Sequence, residues 1–91
     1  MILTVEETKR YLRVDTEEED TLIEDFIETA EQLVKDVARI DDNAMQDNLN
    51  STKVAVMYAV AYLYEHREDA DHHGLVLMLR AMLFGLREAK F

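Results

Sequence analysis

Val54-Ala55-Val56-Met57-Tyr58-Ala59-Val60-Ala61-Tyr62-Leu63-Tyr64 is an unbroken apolar run of 11 residues, and Glu65-His66-Arg67-Glu68 ends it abruptly. The run is well short of the roughly 20 residues that a helix needs to span a bilayer, so it reads as a core helix. Because it is apolar on nearly every side, it belongs at the centre of the fold, covered by other helices or by a neighbouring subunit. The Tyr-Glu-x-Arg-Glu knot at its end says that several polar groups are held at the edge of that core.

Outward from this run, the periodicity gives helices and little else. Upstream, residues 41–50 are rich in Asp and Asn with no apolar period, which marks a loop or a short irregular excursion. Asn50 or Ser51 is placed to cap the central helix, which is expected to continue to about Glu68. Downstream, residues 69–73 with Gly74 read as a turn. Between Leu75 and Leu86 only Arg80 and Gly85 interrupt a second apolar segment, a last helix ending near Ala89.

The first half holds two more helices. Thr4-Val5-Glu6-Glu7 has the form of a capping box and opens a short helix to about Arg13, with Val5, Thr8 and Leu12 on its inner side. Asp15 or Thr16 is the candidate cap of the next helix, where Thr16-Glu17-Glu18-Glu19 repeats the pattern and puts acidic residues in the first turn, as the helix dipole favours. Leu22, Ile23, Phe26, Ile27, Ala30, Leu33, Val34 and Val37 then recur at spacings of three and four to about Arg39. At 1.5 Å per residue that rod is roughly 35 Å long. The fold class is therefore all-α: a compact domain of about four helices, with a long amphipathic second helix and an apolar third, residues 1–91 forming a single unit.

Composition narrows the function. A chain of 91 residues buries only roughly 60 to 65% of its unfolded surface, so the core is thin. There is no cysteine, which excludes disulfides and thiolate metal sites and fits a reducing compartment. Met1-Ile2-Leu3-Thr4-Val5-Glu6 lacks the basic and apolar regions of a secretory signal, so the expectation is a protein that stays in the cytosol of the cell making it. Residues 1–50 carry 15 acidic against 5 basic side chains and residues 51–91 carry 5 of each, so the net charge of -10 sits entirely in the first half. Without a basic cluster, adhesion to nucleic acid or to an anionic membrane is disfavoured. The acidic half serves either as a solvated face or as a field that steers partners.

Catalytic and metal chemistry find no foothold. His72 and His73 are adjacent and point apart on a helix, and with Asp69 and Asp71 they make no standard ligand spacing. Glu17, Glu18, Glu19 and Asp20 lack the Gly and the spaced ligands of a calcium loop. Gly74 and Gly85 stand alone, so there is no phosphate loop, and Ser51 has no paired base. No enzymatic activity, cofactor or metal is expected.

Contact chemistry is better represented. Tyr58, Tyr62 and Tyr64 suit packing with hydroxyls at a polar rim. Glu65 and Arg67 are placed for charge-assisted hydrogen bonds at the helix end, within the subunit or across an interface. Arg80 and Arg87 lie seven apart on one side of the last helix, where they either meet acidic residues of a neighbour's second helix or stay solvated. Tyr64, Glu65, Arg67, Arg80, Phe84 and Arg87 form the candidate subunit or partner interface. Two helices apolar beyond a single stripe exceed what a monomer of this size hides, so self-association is inferred, as a dimer or a heterologous ring.

Three blocks together carry a resemblance: residues 3–15, Leu-Thr-Val-Glu-Glu-Thr-Lys-Arg-Tyr-Leu-Arg-Val-Asp; Asp20-Thr21-Leu22-Ile23 leading into Ala30-Glu31; and Leu63-Tyr64-Glu65-His66-Arg67-Glu68. In this order and over nearly the whole chain they resemble the head-tail connector family of long-tailed double-stranded DNA bacteriophages, also labelled DNA-packaging or portal adaptor proteins. His66 stands where that family commonly has Asn, and the approach to the last helix lacks a Pro that it often carries. The resemblance implies a structural virion protein: an all-helical subunit of a ring, dodecameric in the virion, below the portal at the head-tail junction. Its implied partners are further copies of itself, the portal protein and a neck or tail-completion protein. Assembly would take place in the bacterial host cytoplasm. DNA, with about one charge per 1.7 Å of duplex, would pass through the channel without sequence-specific binding, and Glu17, Glu18 and Glu19 are the candidate acidic residues flanking it. A reading of a different class is a small acidic helical regulator, a DNA mimic that binds a host protein. The apolar last helix argues against it, since a mimic has no need of that much buried contact.

Overall fold

The computed structural model describes residues 2–67 and 72–84, and these are all-α. Five helices follow in order: α1 Val5–Leu12, α2 Asp20–Ala38, α3 Asp42–Asp47, α4 Leu49–Glu65 and α5 His72–Met82. The largest contact is between α2 and α4; α1 and α5 flank α2, α5 also touches α4, and α3 packs against the start of the chain's apolar helix α4.

The capping box is formed as the sequence requires. The Glu7 amide donates to Thr4 Oγ1 at 3.1 Å, and the Thr4 amide donates to Glu7 Oε1 at 2.8 Å. Such a box satisfies two of the amides that a helix start leaves without partners, worth about 1 kcal/mol. The Thr8 hydroxyl is buried and donates to the Thr4 carbonyl, while Val5 and Leu12 sit half-buried beside it. Arg13 and Arg39 close α1 and α2 in the left-handed conformation, with φ of 61° and 58°. A side chain with a Cβ pays roughly 1 kcal/mol for that conformation, which both helix ends recover through cap hydrogen bonds to the preceding turn.

The second capping signal is not used. Residues 17–19 form a turn, α2 begins only at Asp20, and Glu19 at the cap position makes no side-chain cap bond. The reason is tertiary: the Glu19 carboxylate is drawn to α4, and Asp20 Oδ1 lies 2.7 Å from Lys9 Nζ on α1. The stripe itself behaves as read, with Ile23, Ile27, Ala30 and Val34 fully buried and Leu22, Phe26, Leu33 and Val37 half-buried along its margins.

Residues 41–50 are not a loop. Asp41 Oδ1 accepts from the Ala44 amide at 2.9 Å and opens α3, six residues long, which turns Met45 into the core. One and a half turns are too short to display a period. Nor do Asn50 or Ser51 cap the next helix. Leu49 starts α4, and Asn48 at its cap position gives its side-chain amide to the Ala44 carbonyl instead, at 2.8 Å. Buried Thr52 donates its hydroxyl to the Met45 carbonyl at 2.8 Å, fastening α3 to α4.

At its far end α4 stops at Glu65, with His66 and Arg67 in the turn that follows; Glu68 lies outside the described residues. The last helix starts at His72, earlier than the expected Leu75, and takes Gly74 into its first turn. Of the expected turn, residues 69–71 lie outside the described residues, as does the stretch from Gly85 to the expected end near Ala89. Leu75, Leu79 and Leu83 complete the core against α2 and α4. The apolar helix α4 is central on one side only. Ala55, Val56, Ala59, Val60 and Leu63 are buried, whereas Val54 on the other side is 61% exposed.

Candidate functional site

Two features of the surface collect the chemistry. The first is at the end of α4. The Tyr64 hydroxyl donates to Glu19 Oε1 at 2.8 Å, across 45 residues of sequence. Arg67 reaches the same carboxylate, 3.7 Å from Glu19 Oε2, and also donates to the Tyr64 carbonyl at 3.0 Å. Its guanidinium carbon lies 4.6 Å from the centre of the Tyr64 ring, a cation–π contact that keeps the planar group in place. The hydrogen bond to Glu19 raises the Tyr64 pKa above its ordinary value, because ionising the phenol would set two negative oxygens against each other, and partial desolvation adds to it. His66 stacks on Tyr62 with ring centres 4.2 Å apart and holds Nδ1 3.0 Å from the Tyr62 carbonyl, which requires Nδ1 to carry the proton.

This cluster joins residues that the sequence had assigned to different roles. Tyr64 and Arg67 came from the candidate interface, and Glu19 from the candidate channel acids. Glu17 and Glu18 remain on the surface. Glu65 is exposed beside the cluster, Arg80 is exposed on α5, Phe84 is 60% exposed, and Arg87 lies outside the described residues.

The second feature is apolar. A cleft of about 450 Å³ runs between α1, α4 and α5, lined by Tyr11, Val54, Met57, Tyr58 and Met82, with Asn50 and Lys53 at its rim. Lys53 Nζ is 3.1 Å from Glu7 Oε2, so the residue that closes the capping box also anchors this rim. The Thr4 amide and Lys53 together hold the Glu7 carboxyl below its ordinary range. Nothing in the sequence singled out Tyr11, although an aromatic lying off the inner side defined by Val5, Thr8 and Leu12 was the available signal. Beyond the cleft, Leu77 and Met78 of α5 and nearby Phe84 are exposed to 48% or more, an unusual load of apolar surface around one short helix.

Among the described residues, no helix is long and apolar enough to cross a membrane, and no group of three or more His, Asp or Glu stands close enough to hold a metal ion. What the described residues do present is an apolar surface and a polar latch.

The family model for phage gp6-like head-tail connector proteins matches residues 2–82, from the first described residue to the last residue of α5. The chain belongs to this family. No curated protein and no solved structure matches it. Connectors of the gp6-like family are structural proteins of the bacteriophage virion that join head to tail. The exposed apolar surface of α5 and the latch at the end of α4 both fall within, or two residues beyond, the matched region.

Proposed function

We propose that this connector acts as a single domain, without catalysis, as one subunit of a ring beneath the portal that extends the DNA channel and offers a platform to a neck or tail-completion protein. The observation that carries the reading is the family match over residues 2–82. The uncovered apolar side of α4 and the apolar outer surface of α5 support it, because a ring buries such surface between neighbours. The ring is dodecameric in the virion, and its subunits are made in the host cytoplasm and meet the portal at the head-tail junction. Glu17 and Glu18 flank the channel, where carboxylates keep DNA from sticking; Glu19 does so only by its outer edge, since Tyr64 and Arg67 hold its oxygens. Arg80 and Arg87 orient the last helix at the contact between subunits.

Light scattering on the full chain, alone and with the portal protein of the same genome, tests this directly. The expected result is a large closed oligomer, or a monomer that joins the portal in ring stoichiometry. A stable dimer indifferent to the portal would overturn the proposal. Neutralising Glu17 and Glu18 together is expected to leave ring assembly intact while slowing DNA ejection.

A further inference from the structure

Besides the core stripe of Leu75, Leu79 and Leu83, which the fold buries, helix α5 carries apolar residues on two further sides that stay exposed. Leu77, Ala81 and Phe84 are exposed and follow the spacing i, i+4, i+7, with exposed Arg80 at i+3. This is the anchor spacing by which a helix lays one face into an apolar groove. On the other side of the same helix, Met82 lines the cleft with Tyr11, Val54, Met57 and Tyr58. At 3.6 residues per turn, Leu77 projects about 140° away from Met82 within α5, and exposed Phe84 follows two residues past the helix end. Ridge and cleft are therefore different surfaces, back to back across one helix. A cleft of about 450 Å³ is large enough to take several apolar side chains.

We propose that the occupant of the cleft is the α5 ridge of a second copy of this chain, so that each subunit inserts Leu77, Ala81 and Phe84 into the cleft of the next. This rests on the ring reading above and names the two surfaces that make the ring. Three observations select a second copy. The chain itself carries an apolar ridge with the required spacing. Because ridge and cleft point in opposed directions, one contact does not consume both, and the arrangement propagates head to tail as a ring requires. The ridge also lies in the half of the chain where acidic and basic residues are equal, 5 of each, so seating it does not press the acidic half of one subunit onto that of another.

The absence of cysteine makes the test specific, since any disulfide must come from introduced residues. Val54→Cys marks the cleft, and Leu77→Cys or Phe84→Cys marks the ridge. These positions are 61%, 48% and 60% exposed, so the substitutions leave the core untouched, which circular dichroism checks. Full-length chains are oxidised alone and on the portal protein. Chains carrying both a cleft and a ridge cysteine are expected to give a ladder of covalent multimers beyond the dimer. Either single variant alone stays monomeric, and an equimolar mixture of the two single variants stops at the dimer. Dimers from a single variant, or a ladder that ends at the dimer, would mean a two-fold contact and overturn the proposal. So would the absence of multimers, the outcome if the cleft takes a portal segment or the chain's own residues 85–91. If unmodified chains still join the portal in ring stoichiometry in that last case, the seam is wrong and the ring stands; if they do not, both fall.

Discussion

A carboxylate with two suitors explains why Glu19 abandons its local role. As a cap it would have accepted a hydrogen bond from an amide that water also satisfies, whereas its bond from the Tyr64 hydroxyl ties the turn before α2 to the end of α4. The pair is partly exposed, with Glu19 at 32% and Arg67 at 44%, so its contribution is that of a screened hydrogen bond rather than a buried ion pair. Tyr64→Phe and Glu19→Gln are each expected to destabilise the fold by about 1 kcal/mol, and the double variant by less than the sum of the two. The pH dependence has a definite sign. The folded-state pKa of Tyr64 is raised above its ordinary value of 10.0, so its contribution is complete below pH 10 and is lost as pH rises through the folded value. Urea melts between pH 8 and 11 should therefore show wild type losing its advantage over Tyr64→Phe at the alkaline end. A constant gap would mean that the phenol and the carboxylate are not coupled.

Elements are held by the same logic at the opposite end of the pH scale. Glu7 closes the capping box of α1 and bonds Lys53 of α4, so one carboxylate fixes both a helix start and its docking. Its folded pKa lies below the ordinary 4.5, which makes its contribution complete above that value and lost as pH falls through the folded value. Wild type is accordingly expected to lose more melting temperature than Glu7→Gln on acidification below pH 4.5; equal losses would assign the acid sensitivity elsewhere. That α1 was legible at all follows from this locality, because the capping box is written within four residues. The α2 stripe was legible because 19 residues display their period several times over. The start of α2 was not, since the partners that unseat its cap, Lys9 and Tyr64, come from other elements. Helix α3 was missed for lack of length, and the start of α4 because Asn48 bonds backward to Ala44. Of the candidate site, the polar residues at the end of α4 were visible in sequence as a break in an apolar run. The cleft was not, because Tyr11, Val54 and Met82 are brought together only by the packing of three helices.

At the scale of the whole molecule the opposing terms are charge and apolar surface. Each chain carries -10, so bringing copies together costs repulsion that grows with every subunit added, while the apolar ridge and cleft favour contact. The two terms respond differently to salt. Screening lengths fall from about 10 Å at 0.1 M to about 3 Å at 1 M, which removes repulsion between acidic halves and leaves apolar burial intact or strengthened. A seam made mainly of Arg80 and Arg87 against acidic residues of a neighbour's α2 would weaken over the same range. Sedimentation of the full chain at fixed concentration from about 0.05 to 0.5 M salt separates these cases. The expected outcome is a shift toward assembly, by several-fold in the concentration at half-association. Dissociation with rising salt would place the arginines, rather than the ridge of α5, at the centre of the contact. On the proposed seam, the confinement of the negative charge to residues 1–50 takes on a mechanical sense: it opposes chance association of free subunits, while the ridge that enters a neighbour's cleft comes from the half that carries no net charge.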